Sequence, residues 1–269
     1  MRVKGKTFVV TGAGNGIGRE LTLQLLSLGA RVAGLDLSEK GLQETSSLAN
    51  SESFASYQVD ISNLTEVTST QKAILTKFGS VDGVINVAGI IQPFVRVNDL
   101  SFEQIKKVMD VNFYGLLNVT KSYLPHLLGR PEAHIANVSS MGGFVPVPGQ
   151  SIYGASKAAV KLLTEGLYSE LKDTRVGVTA IFPGGIATDI VINSGVMTED
   201  QMKQMAAKAG PTRITTSVAD AAKAIISGVE KKRFHVLIGP DAKTMYLLSR
   251  IMPERAANLI YKNMKELLG

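Results

Sequence analysis

Tyr153 and Lys157 stand four residues apart at the start of a segment with helical periodicity. That spacing sets a phenol and an ammonium one turn apart on one helix face. A phenol with an ordinary pKa of about 10 is a poor base near neutrality, so a neighbouring cation must stabilise its phenolate before it can exchange a proton with an alcohol. Lys157 is such a cation. Upstream, Asn137-Val-Ser139-Ser140 closes an apolar run, and either serine hydroxyl can donate to a carbonyl oxygen as charge builds on it. The Gly- and Pro-rich stretch from Met141 to Gly149 then turns the chain back toward that edge. A Tyr and a Lys one turn apart are on their own usually a solvated pair, so the rest of the chain has to decide.

Thr11-Gly-Ala-Gly-Asn-Gly-Ile-Gly18 follows an apolar run and opens a helix. Glycines at such a junction let the backbone approach a pyrophosphate, and the helix N-terminus favours its charge. The strict G-x-G-x-x-G register fails, because Ile17 or Arg19 stands where its last Gly belongs, while Gly12, Gly16 and Gly18 form a wider variant. Asp36 ends the next apolar run, where a carboxylate can accept from both hydroxyls of an adenosine ribose and repel a 2′-phosphate. No Lys or Arg occupies 13–15 or position 37, although Arg19 and Lys40 are close enough to bend inward. The cofactor expected here is therefore NAD rather than NADP.

The elements that must position these residues are seven short β-branched or apolar runs: Thr7–Thr11, Arg31–Asp36, Phe54–Val59, Gly83–Val87, His134–Ser139, Val176–Phe182 and His235–Ile238. Segments of helical period separate them. Continuous apolar strands alternating with helices predict a single α/β domain, a doubly wound parallel sheet of about seven strands whose ligands lie beyond the strands' carboxyl ends. In the first crossover helix Ile17, Leu21, Leu25 and Leu28 share a face, with Gly29 as the stop. The domain is expected over 1–240, with 241–269 as its helical extension. That extension mixes Met245, Leu247, Leu248, Ile251, Leu259 and Ile260 with basic residues. Such an amphipathic, cationic stretch can pack on its own core or a neighbouring subunit, or less readily lie on a membrane. The stretch from Val191 to Pro211, with Met197, Met202 and Met205, is expected to be a flap over the site.

Among 269 residues there is no cysteine, which excludes disulfides and thiolate chemistry and is compatible with a cytoplasmic setting. His126, His134 and His235 lie outside any metal-ligand spacing, so structural positions and no metal are expected. Arg2, Lys4 and Lys6 before an apolar run could introduce a signal peptide, but Thr11-Gly12 cuts the run short and a first strand is expected. A net charge of +6 is spread along the chain without basic clusters interleaved with aromatics, so nucleic acid is not the expected partner.

Gly12, Gly16 and Gly18, Asn86-Val-Ala-Gly89, Asn112, Ser139-Ser140, Tyr153 to Lys157 and Pro183-Gly184 recur in this order. Together they resemble the short-chain dehydrogenase/reductase family, a Rossmann-type fold, over Lys6 to about Ile238. The resemblance implies Tyr153 as general acid/base, Lys157 on the nicotinamide ribose and lowering the Tyr153 pKa, Ser140 rather than Ser139 orienting the carbonyl, and Asn112 supporting a proton relay. It implies a cofactor held by Gly12, Asn15, Gly16, Ile17, Gly18 and Asp36, by Asp60 and Ile61 beside the adenine, by Asn86, Ala88 and Gly89 along its length, and by Pro183, Ile186 and Thr188 around the carboxamide. Val87 departs from the family's more usual second Asn. The activity implied is NAD-dependent hydride transfer to or from a secondary alcohol or ketone. A 3-oxoacyl thioester reductase and a non-catalytic dinucleotide sensor are the alternatives. A homodimer or homotetramer through the helices of Asn112 and Tyr153 is also implied. Met141, Gly142, Gly143, Val147, Gln150, Ile91, Phe94 and Gly185 are expected to face a lipophilic substrate.

Overall fold

A computed structural model describes every residue except Asp189, Met197, Glu199, 201–214 and Gly269, with Glu266 and Leu267 described in backbone only. The apolar runs form β1 (Thr7–Thr11), β2 (Arg31–Asp36), β3 (Phe54–Gln58), β4 (Gly83–Asn86), β5 (Ala133–Val138), β6 (Val176–Pro183) and β7 (His235–Ile238). All pair in parallel in the order β3-β2-β1-β4-β5-β6-β7. The order reverses between β1 and β4, and a crevice opens at such a switch point.

Helices α1 (Gly16–Ser27), α2 (Glu39–Ala49), α3 (Leu64–Phe78), α4 (Phe102–Met109), α5 (Leu116–Leu128) and α6 (Ser151–Glu170) cover the sheet. Successive strand residues point to opposite faces, so Val10, Ile85 and Ile181 pack with Leu21 and Leu25 of α1 and with Ile225 of the Val218–Glu230 helix. Val9, Val84 and Ile135 pack on the other face with Ile74 of α3, Tyr123 of α5 and Leu167 of α6. On α1 the buried face is Gly18, Leu21, Thr22 and Leu25. Leu28 departs from the expected stripe and is 47% exposed, because the helix ends at Ser27 and Leu28 is its C-cap, before Gly29 turns with φ +81°.

Strand ends differ from the sequence reading by a residue. β4 stops at Asn86, because the Val87 N–H leaves the ladder to donate to Thr11 Oγ1 at 3.0 Å. The three histidines are tied within the fold: His126 Nε2 accepts from the Val81 N–H, His134 pairs with Thr179, and His235 bridges Glu165 and Tyr246.

The C-terminal stretch forms helices Pro240–Ile251 and Pro253–Met264, which pack on the chain's own core. Met245, Ala256 and Ile260 are buried with Val145 against Met141, Phe144 and Val147 of the segment before α6. Among the described residues no helix is long and apolar enough to cross a membrane.

Candidate active site

The β1–α1 junction is the tightest wrap in the crevice. A Cβ on Gly18 would sit far inside van der Waals contact with the Gly12 carbonyl oxygen, so only glycine lets α1 begin this close to β1. Asp36, at the end of β2, anchors the next turn: its carboxylate accepts from the Gly14 N–H and the Ser38 N–H, each at 2.8 Å. Arg19 does not bend toward that carboxylate's ligand side, as its proximity in sequence allowed. Its guanidinium donates to the Gly14 carbonyl, to Thr45 Oγ1 at 3.0 Å, and to Glu44 at 2.7 Å. Lys40 is exposed on α2 and is not part of the crevice wall.

A cavity of 540 Å³ follows this edge. Its wall holds Gly12, Asn15, Gly16, Ile17, Gly18, Asp36, Asp60, Ile61, Ala88, Gly89 and Thr188 of the expected cofactor residues. Asp60 keeps its loop in shape by accepting from the Ser62 N–H at 2.9 Å and the Ser62 hydroxyl at 2.7 Å. Thr11 Oγ1 accepts from both Val87 and Ala88 N–H groups, so the turn lacking the second Asn is held by a threonine instead. Asn86, Pro183 and Ile186 stand behind the wall. Asn86 is buried and donates to Thr120 and Asn137, Pro183 ends β6, and Ile186 bridges to Thr216. The Pro183–Thr188 turn is further held by Asp241, which accepts from the Gly185 N–H at 2.7 Å. Leu37, Ser38, Lys107, Val111, Asn193 and Ser194 also line the cavity and carried no motif. A lone Lys on a helix surface offers no signal, and Ser38 was legible only as the N-cap that α2 needs after Asp36.

The first turns of α6 bring Tyr153 and Lys157 to the carboxyl edge of β5, where they, Ser140 and Asn112 stand outside the cavity's lining and meet it at Gly89. Ser139 and Ser140 separate here. The Ser139 hydroxyl is buried and donates to the Lys157 carbonyl at 2.7 Å. The Ser140 hydroxyl accepts from the Gly142 N–H at 3.0 Å and stands beside the Tyr153 ring across Gly142. Lys157 is 3% exposed, donates to the Val138 carbonyl at 3.1 Å, and lies 5.8 Å from the centre of the Tyr153 ring. Burial lowers its pKa to about 8. Burial raises the Tyr153 pKa, and the Ser140 hydroxyl offsets part of that rise. A Cβ on Gly89 would approach Lys157 Nζ to 3.0 Å and Asn112 Oδ1 to 3.1 Å, so glycine is what lets the β4 loop lie against both.

Asn112 sits in a π-helical turn, Asp110–Gly115, between α4 and α5. Its amide is engaged by Ile90 on both sides and by Ser156, which places its side chain as an anchor between the β4 loop and α6. Several residues expected on a substrate face are elsewhere. Gln150 is buried and donates to the Gln92 carbonyl, Gly143 packs under the Lys157 carbonyl, and Met141 and Val147 both pack against the C-terminal cluster. Gly142 does lie beside Ser140 and the Tyr153 ring. Of the expected flap, only Val191–Val196, Thr198 and Asp200 fall among the described residues, while Met197, Met202 and Met205 lie outside them.

Comparison with known proteins agrees with this architecture. The family described as short chain dehydrogenase matches residues 6–199. The Mycobacterium tuberculosis oxidoreductase SadH is 37% identical over 261 residues, 96% of this chain and 94% of that protein. A short-chain dehydrogenase/reductase from Burkholderia phymatum, solved in complex with NAD, superposes with a TM-score of 0.84 at 28% identity, covering 96% of this chain and 97% of that one. A short-chain dehydrogenase from Burkholderia cenocepacia, solved with NADP, gives 0.79 at 25% identity over 97% and 99%. Since the match runs through the glycine turn, the switch-point crevice and the Tyr153 helix alike, the chain belongs to the short-chain dehydrogenase/reductase family of oxidoreductases.

Proposed function

We propose that this enzyme moves a hydride between NAD and a secondary alcohol or ketone with a hydrophobic body, and that Tyr153 exchanges the hydroxyl proton. The observation that carries this reading is the gathering of Ser140, Tyr153 and Lys157 at the carboxyl edge of β5, joined through Gly89 to a crevice that Asp36 also lines. The crevice fits a dinucleotide: a helix N-terminus and glycine turn for a pyrophosphate, and a carboxylate for a ribose diol. When bound, the nicotinamide supplies the hydride acceptor or donor. Everything else falls to the chain. Ser140 holds the carbonyl oxygen, Tyr153 Oη donates or accepts the proton at that oxygen, and the Lys157 ammonium stabilises the phenolate. With burial alone the Tyr153 pKa is high, so proton exchange depends on positive charge arriving near the ring. Asn112 supports the site by fixing Ile90 to α6.

The hydrophobic body is inferred from the apolar side chains of Met141, Ile91 and Phe94, which follow the Ser139-Ser140 and Asn86–Gly89 motifs in the chain. We place residues 1–240 as the catalytic unit and 241–269 as its extension. We also infer self-association through α6 and the Asp110–Leu128 helical run that holds Asn112, where Leu162 and Tyr114 are 69% and 51% exposed.

The test follows nicotinamide absorbance with NAD or NADP against aliphatic, alicyclic and steroid alcohols and a 3-oxoacyl thioester. NAD-linked oxidation of an alcohol is expected. Tyr153→Phe should abolish it while leaving NAD affinity intact. Binding without turnover across the panel, or a variant that keeps most of its activity, refutes the reading.

A further inference from the structure

Helix α6 carries both Tyr153 and Lys157, yet it starts without a local cap. Its N-cap residue, Gln150, makes no side-chain capping bond. The first N–H groups of any helix have no partner within it and must find one elsewhere. Here they find Gln92, which lies on the segment leaving the β4 loop. Gln92 Oε1 accepts from the N–H of Ile152 and the N–H of Tyr153, each at 2.9 Å. Its Nε2 donates to the Gly149 carbonyl at 3.0 Å, and its own carbonyl accepts from Gln150 Nε2 at 2.7 Å. The side chain is 1% exposed, so these bonds have no ready replacement by water.

A second path joins the same two places. Asn112 Oδ1 accepts from the Ile90 N–H at 2.8 Å, Asn112 Nδ2 donates to Ser156 Oγ at 3.0 Å, and Ser156 Oγ donates to the Tyr153 carbonyl at 2.7 Å. Both the N–H and the carbonyl of Tyr153 are thus tied to Ile90–Gln92, directly after the glycine that lies against Lys157.

We infer that Gln92 is a positioning residue for Tyr153, a cap supplied by the cofactor-side loop that sets the height and direction of the first turn of α6. The inference rests on the reading of Tyr153 as the proton-exchanging group. The amide is suited to the task because it presents an acceptor to two N–H groups and a donor to a carbonyl in one plane. Gln92→Met keeps the length and removes both roles. Gln92→Glu keeps the acceptor for the two N–H groups and loses the donor.

The experiment compares both variants with the wild type as NADH complexes. Hydrogen exchange reads the Ile152 and Tyr153 amides directly. Phenolate absorbance reads Tyr153 by difference against the same NADH complex carrying Tyr153→Phe, so that the cofactor and the other tyrosines cancel, and the chain has no tryptophan to add to them. In Gln92→Met the two amides should exchange roughly tenfold faster, as expected for a lost buried hydrogen bond. The Tyr153 titration should move as the ring leaves Ser140 and Lys157. On any alcohol the panel identifies, kcat should fall about 10- to 100-fold, the cost of a misplaced reacting group, with NADH affinity unchanged. Gln92→Glu should recover most of the exchange protection and most of kcat. Wild-type exchange and titration in Gln92→Met would overturn the proposal. So would equal loss in both variants with NADH affinity and melting temperature falling in parallel, the mark of a merely structural residue. If the wild type turns over no alcohol, the hydride-transfer reading fails while the exchange and phenolate measurements still judge Gln92.

Discussion

Replacing Asp36 by alanine should collapse the preference for NADH over NADPH. In the wild type the carboxylate is held in place by the Gly14 and Ser38 N–H groups at 2.8 Å each, and the nearest guanidinium, Arg19, is spent on Gly14, Thr45 and Glu44. A 2′-phosphate about 4 Å away would meet one unit of like charge, costing about 4 kcal/mol at a near-surface dielectric and about 1 kcal/mol in bulk water. Asp36 is half-buried, so the cost falls between these limits. At 1.4 kcal/mol per decade the wild type should favour NADH by roughly 5- to 700-fold. Asp36→Ala removes that repulsion and also removes a charged acceptor for the ribose diol, worth about 1.5–3 kcal/mol. NADH affinity should therefore drop about 10- to 100-fold while NADPH affinity holds or improves. Titration of each reduced cofactor's own fluorescence measures both constants, because the protein has no tryptophan to interfere. A wild type that binds the two equally, or a variant that keeps the wild-type ratio, would refute the assignment of Asp36 as the discriminating charge.

Lys157→Met should raise the melting temperature of the cofactor-free protein while abolishing turnover. Burial lowers the Lys157 pKa to about 8, so the ammonium opposes folding below that pH and the penalty fades as pH rises from about 8 toward the unfolded value near 10.4. The gain in the variant should be on the order of 1–3 kcal/mol, a few degrees by calorimetry, and should shrink above about pH 9. Asp82→Asn should destabilise by about 1–3 kcal/mol in urea unfolding, because Asp82 is 2% exposed and accepts from the Thr7 N–H and from Arg130, with Lys6 at 3.6 Å. Burial pushes the Asp82 pKa up, but those partners outweigh it and the carboxyl titrates below its usual range. Its stabilisation is thus present above about pH 4 and lost as pH falls further, and the gap between wild type and Asp82→Asn should close in acid. Gly18→Ala should yield protein that neither binds NADH nor melts cooperatively near the wild-type temperature, because the added methyl meets the Gly12 carbonyl.

The order of the strands' apolar runs, the glycine turn, Asp36 and the Tyr153–Lys157 pair were all legible in the sequence, because each expresses a local rule. Continuous apolar strands alternating with amphipathic helices leave few topologies, and the switch point then puts the motif residues along one crevice. Side-chain direction and long-range pairing are decided elsewhere. Ser139 and Ser140 are adjacent and chemically identical, yet the extended backbone that continues past β5 buries one against Lys157 and turns the other toward Tyr153. Arg19 is one residue past the glycine turn, but α2 offers it acceptors that draw it away from the crevice. Asn86, Gln150 and Val147 read as site residues by their place in the chain and are taken up by α5, by Gln92 and by the C-terminal helices. Gln92 carried no motif, because its meaning depends on an uncapped helix 60 residues away finding a buried acceptor. Local residue order thus names the family and the elements that carry its motifs. Which side chains meet is set by folding, since it turns on partners that sequence separation does not reveal.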